Sequence, residues 1–193
     1  MDVATAVATA FGLAGAAGLN AWLPIVAAAL LNRAGVVDLA APFDQLSTTP
    51  ALVILGVVFV ADFVGDKIPA VDSVLHAIGT VVAPAAGAVL FTGQTGAETD
   101  LPTAAAVLLG AITAGTVHLG RATLRPASTV TTAGAGNPIL SLSEDAASGV
   151  LVVAAFLVPL VALALTIALV AAIVVAWRRL RRVGRARTAS SRE

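Results

Sequence analysis

Residues 138–177 read PILSLSEDAASGVLVVAAFLVPLVALALTIALVAAIVVAW, and Arg178, Arg179, Arg181 and Arg182 follow almost without interruption. A single helix of these forty residues would be about 60 Å long at 1.5 Å per residue. The hydrocarbon core of a bilayer is only about 30 Å thick and is crossed by about 20 apolar residues. Pro159 stands near the middle of the run, where its ring and missing N–H disrupt a helix. The stretch therefore predicts two transmembrane helices that divide near Pro159. Trp177, at the edge of the arginines, fits an interfacial aromatic anchor.

The rest of the chain has the same character. It is 59% hydrophobic and 11% charged, with a mean hydropathy of +0.98, whereas soluble domains average about 45–50% and about 25%. A soluble core could not hide so much apolar surface. Four further crossings read as about Ala6–Leu31, Pro50–Val64, Asp72–Phe91 and Pro102–Gly120. The expected fold is an all-α integral membrane protein of about six transmembrane helices. Residues 1–178 would form the membrane domain and 179–193 a basic cytoplasmic tail. Cysteine is absent, which excludes disulfides, thiolate metal ligands and cysteine nucleophiles. Met1–Ala10 carries Asp2 and no Lys or Arg, so the basic start of a secretion signal is missing and the N-terminus is expected to be retained.

Lys and Arg near helix ends gather on the cytoplasmic side. Six helices with both termini inside place Lys67, Arg121, Arg125, Arg178, Arg179, Arg181, Arg182, Arg185, Arg187 and Arg192 together and leave only Arg33 outside. Five helices would set Lys67, Arg121 and Arg125 against the tail. The preference for Arg over Lys, with abundant Ala, Val and Gly, reads as bacterial coding bias, and the expected location is the bacterial inner (plasma) membrane. Three helices on each side of the linker 93–101 make halves of about 1–92 and 102–178, which would stand in inverted orientation as in some transporters. The expected partners are the lipid bilayer and a second copy of the chain through the glycine-rich first helix; no nucleic acid partner is expected.

Polar residues inside such helices are costly, at least about 2.5–3.5 kcal/mol for a charge at mid-membrane, and they mark functional sites. Residues 61–76, ADFVGDKIPAVDSVLH, surround a helix break. Asp62 and Asp66 are four apart, as are Asp72 and His76, so each pair shares a helix face. Lys67 reads as a structural counter-ion to Asp62, Asp66 or Asp72, and the plain alternative is a solvated cytoplasmic loop. Residues 137–145, NPILSLSED, open a helix through Asn137 and Pro138 and carry Glu144 and Asp145 into its apolar part. Residues 18–24, GLNAWLP, put Asn20 and Pro24 at a kink in the first crossing. Convergence of Asp62, Asp66, Asp72, His76, Glu144 and Asp145, joined by Asn20 or His118, would make an acidic pocket. Such a pocket would bind a divalent cation or relay protons.

These three pieces, Gly18 to Pro24, Asp66 to Ser73 and Ser141 to Asp145, resemble the domain of unknown function family 4126 in kind and order. The resemblance spans most of the chain and implies a small multi-pass bacterial membrane protein, with no activity or substrate attached. Asp62 stands where that family favours Glu. Asp62 to Lys67 is also similar to the Glu-x-Gly-Asp-Lys/Arg signature of manganese or calcium cation/proton exchangers, but has an extra residue between the acids and no second copy. The Gly-x-Gly-Asp intramembrane aspartyl proteases are a poorer match, with Phe63 in place of the first glycine.

The foremost functional expectation is a small transporter or ion-binding protein with an intramembrane acidic site, cation- or proton-coupled. A metal-dependent intramembrane enzyme acting on a lipid-linked phosphate is the second, with His76 or His118 moving protons. The third is a non-catalytic scaffold whose arginine tail contacts anionic lipid.

Overall fold

The computed structural model describes residues 2–96, 98–132 and 136–190, with side chains at 69–70, 124–132 and 179–190 left outside the description. Arg125 and the tail arginines after Arg178 therefore lie outside the described side chains. Among the described residues the secondary structure is helical throughout: α1 (Val3–Leu19), α2 (Trp22–Arg33), a 3-10 turn (Phe43–Ser47), α3 (Thr49–Gly65), α4 (Pro69–Thr95), α5 (Thr103–Thr132), α6 (Asn137–Leu157) and α7 (Pro159–Ser190). Prolines sit in the first turns of α3, α4, α6 and α7, where the missing N–H costs nothing. Val158 leaves helical geometry, so the forty-residue run divides directly before Pro159.

Four helical segments are long and apolar enough to cross a membrane: Val71–Thr95, Thr103–Thr123, Asn137–Leu157 and Pro159–Arg178. α1, α2 and α3 are shorter apolar helices. Valines and leucines of α3, α6 and α7 point outward, an apolar exterior suited to lipid.

The expected first crossing, Ala6–Leu31, is two antiparallel helices. Asn20 has φ −141° and ψ 118°, which ends α1, and its Oδ1 accepts the N–H groups of Trp22 and Leu23 at 3.0 Å each, which starts α2. Phe11 of α1 packs edge-on against Phe91 with centroids 4.9 Å apart. The segment after α2 returns to the same level, where the Ala40 N–H donates to the Gly93 carbonyl at 2.8 Å. Asn20 itself lies at the other end of the bundle, beside Asp145. The chain therefore reverses at Asn20, and α1, α3, α5 and α7 run opposite to α2, α4 and α6.

That reversal adds a helix to the expected path. The described chain has seven helices in place of six crossings. Residues 1–92 hold four helices and begin in the same direction as 102–178, since α1 and α5 are parallel. The start of α1 and the end of α7 lie at opposite ends of the bundle. Hydropathy could not reveal this, because a kinked crossing and a tight hairpin present the same continuous apolar run.

α1 is the central helix, with twelve of its 17 residues buried. Its Gly and Ala positions let neighbours approach closely. A Cβ on Gly12 would sit 2.7 Å from that of Ala162, and one on Gly15 would meet Thr166. One on Gly18 would lie 2.6 Å from the Ala114 carbonyl oxygen and 2.5 Å from the Val117 Cβ. Gly149, by contrast, has open space around it. Gly18→Ala is expected to destabilise the protein by about 1–3 kcal/mol through overpacking. Gly149→Ala should be neutral or stabilising by up to about 1 kcal/mol. Melting of both variants in detergent checks this, and equal midpoints would refute the packing role of Gly18.

Candidate functional site

The α3–α4 turn, the start of α6 and the α1–α2 hairpin meet at the basic end of the bundle. Asp66 caps the C-terminus of α3, its N–H donating to the Asp62 carbonyl at 2.9 Å. Lys67 follows it in the turn. Its ammonium donates to Asp66 Oδ1 at 2.6 Å and to Asp145 Oδ2 at 2.9 Å, and lies 3.9 Å from the centroid of the Phe63 ring. Asn20 Nδ2 donates to Asp145 Oδ1 at 2.8 Å, and the Ser141 hydroxyl donates to Asp66 Oδ2. Asp66 and Asp145 are both buried, so each of their four oxygens has a partner, as buried carboxylates require.

A second ion pair stands beside the first. Arg121 of α5 reaches Glu144 at 3.3 Å and donates to the Leu19 carbonyl, one of the carbonyls that the end of α1 leaves without an intrahelical donor. A cation there also complements the negative end of the helix.

Between these networks and α3 and α4 lies a cavity of about 420 Å³. Asp62, Asp66, Asp72 and Asp145 line it together with His76, His118, Arg121 and Asn20. His76 and His118 stack with centroids 4.8 Å apart and planes 25° from parallel, and Gly79 leaves room for the His118 ring. Both nitrogens of His76 and Nε2 of His118 are buried without a hydrogen-bond partner. The remaining walls are aliphatic, including Val58, Leu75 and Val82.

Of the residues singled out in the sequence, Asp62, Asp66, Asp72, His76, Asp145 and Asn20 line this one cavity, and His118 joins them. Glu144 does not. It faces a separate apolar crevice of about 630 Å³ between α5, α6 and α7, where Arg121 forms the shared wall. Lys67 pairs with Asp66 and Asp145, and not with Asp72 or Asp62. Among the described residues no three His, Asp or Glu side chains come close enough together to hold a metal ion. Asp66, Asp145 and Glu144 therefore form paired contacts with Lys67 and Arg121, and among the described residues the single divalent-cation cage expected from the sequence is not formed. Ser141 and Arg121 were missed as site residues. In the sequence Ser141 stands out only as the first residue of a piece that resembles the family, and Arg121 reads only as a topology marker.

Fold and site together define a multi-helical bundle of membrane-protein character with a buried ionic network and a polar cavity at one end. The chain belongs to the family described as Domain of unknown function (DUF4126), whose model matches residues 7–179. No curated protein and no solved structure matches it.

Burial works against the Lys67 charge, yet the hydrogen bonds to Asp66 and Asp145 prevail and hold its pKa above the ordinary 10.5. A raised value means that its stabilisation is complete below about pH 10.5 and is lost as the pH rises through the raised value. Removing one partner of a buried pair costs about 3–5 kcal/mol. Lys67 is 22% exposed, so Lys67→Met is expected to cost about 2 kcal/mol, less than the fully buried case. The variant should also lose the alkaline dependence. In a double-mutant cycle with Asp145→Asn a coupling of about 0.5–3 kcal/mol is expected, and simple additivity in melting experiments would count against the bridge.

Proposed function

We propose that this protein is a multi-pass membrane carrier or ion-binding protein for a small, singly charged cation or for protons, with the cavity between α3, α4 and α5 as its site. The observation that carries the reading is that four aspartates and two histidines line one cavity inside an apolar bundle. Lys67 neutralises Asp66 and Asp145, and Arg121 is engaged by Glu144. The carboxylate of Asp62 makes no hydrogen bond among the described residues, and it is the group best placed to accept a proton or a cation. Among the described residues no three His, Asp or Glu side chains cluster as metal ligands, and the reading favours a singly charged cation.

The proposed setting is a bacterial plasma membrane with the Lys67, Arg121 and Arg178 end cytoplasmic, following the positive-inside bias. The hairpin at Asn20 then puts the N-terminus outside. The chain contains no cysteine, so single cysteines report topology without background. Asp2→Cys should react with an impermeant maleimide from outside intact cells and Ser190→Cys only after permeabilisation. Labelling of both from one side would contradict the seven-helix path.

Function is tested in proteoliposomes with a pH-sensitive dye and with sodium or potassium gradients. Asp62→Asn is expected to reduce flux at least tenfold while leaving melting and elution unchanged. Wild-type rates in that variant would remove Asp62 from the mechanism.

A further inference from the structure

The cavity is larger than a proton or a dehydrated alkali ion requires. At about 420 Å³ it falls within the roughly 300–1,000 Å³ of pockets that take small organic ligands. Its walls divide by chemistry, with Asp62 and the two imidazoles polar and Val58, Leu75, Ile78 and Val82 aliphatic. His118 lines the cavity, is only 3% exposed, and its Nε2 has no hydrogen-bond partner. Buried polar atoms are nearly always satisfied, so this nitrogen points to a ligand that hydrogen-bonds to it. The protein also shows what kind of cation this end of the bundle accepts. It already holds a primary ammonium, that of Lys67, between two carboxylates and over the Phe63 ring.

We infer that the cavity binds a primary alkylammonium, its –NH₃⁺ group donating to the Asp62 carboxylate and toward His118 Nε2 while its alkyl chain lies against the aliphatic wall. This assignment rests on the carrier reading above and names its substrate class. An ammonium supplies three donors and one positive charge, which matches a carboxylate and an imidazole lining one cavity. A bare metal ion would need more ligands at close range than these residues offer. A quaternary ammonium has no N–H donor and would leave both acceptors unsatisfied. The aliphatic wall favours a longer chain over methylammonium, since each buried methylene adds to affinity.

The test is a thermal-shift titration of the full chain in detergent with butylammonium, methylammonium, tetramethylammonium, sodium and magnesium. Butylammonium is expected to give a saturable upward shift, with methylammonium at least tenfold weaker and tetramethylammonium, sodium and magnesium giving none. Asp62→Asn should weaken butylammonium at least tenfold and His118→Phe severalfold, while Asp38→Asn, in the connection after α2, should leave it unchanged. Val58→Trp fills the cavity from α3 and should abolish binding even if Asp62→Asn fails to fold. No saturable butylammonium shift, or an unaltered one in folded Asp62→Asn and Val58→Trp, would overturn the assignment. If butylammonium does not bind but Asp62→Asn still loses proton or sodium flux, the substrate class falls and the carrier reading stands. If flux is also unchanged, both fall.

Discussion

One ammonium group holds together parts of the chain that are far apart in sequence. Lys67 joins the α3–α4 turn to α6 through Asp66 and Asp145, and Asn20 extends the connection to the α1–α2 hairpin. In a low-dielectric interior such bonds are strong when every group is satisfied and costly when one is not. That asymmetry explains why Ser141 closes the last oxygen of Asp66. At the opposite end of the bundle Asn32 donates to Ser47 and Arg33 to Thr49. There, Ala10, Ala14, Phe91 and Ala106 pack as an apolar cluster with Phe11 against it. The bundle is thus tied by charge at one end and by close packing at the other.

Asn20 makes the two requirements meet. Its oxygen caps α2 and its amide donates to Asp145, so one side chain fixes both the reversal of the chain and the position of a site carboxylate. A helix reversal inside an apolar bundle exposes backbone groups that must find partners. Asn20 supplies donors to one side and acceptors to the other, and Arg121 takes the Leu19 carbonyl. The tight approach of α1 to α5 at Gly18 brings Arg121 within reach. Small residues in α1 are therefore a condition of the site as well as of the fold.

Much of this was legible in the sequence. The membrane character follows from composition, the helix starts from Pro50, Pro138 and Pro159, and the division before Pro159 from the length of the apolar run, whereas α4 starts at Pro69, three residues before the expected Asp72. The polar residues of the site stood out because they interrupt apolar helices. The reversal at Asn20 did not, because the hydropathy of residues 6–31 is blind to direction, and Pro24 fits a kink as well as a first helical turn. Pairing was equally hidden. Asp66 and Asp145 are far apart in the sequence, and nothing in their local sequences says that one lysine serves both. Glu144 and Asp145 are neighbours that diverge by about 100° around a helix, and so they face different cavities.

That divergence sets the electrostatics of the cavity. Arg121 forms part of the wall between the polar cavity and the apolar crevice, and by itself it would repel any cation approaching Asp62. Glu144, reaching it from the crevice side at 3.3 Å, offsets that charge without occupying the cavity. Lys67 likewise sits behind Asp66 and Asp145, outside the lining. With both bases engaged, the charges that remain on the cavity wall are carboxylates. An acidic cavity in an otherwise neutral, apolar bundle concentrates positive charge, and the placement of Glu144 on the far side of Arg121 is what keeps the cavity acidic.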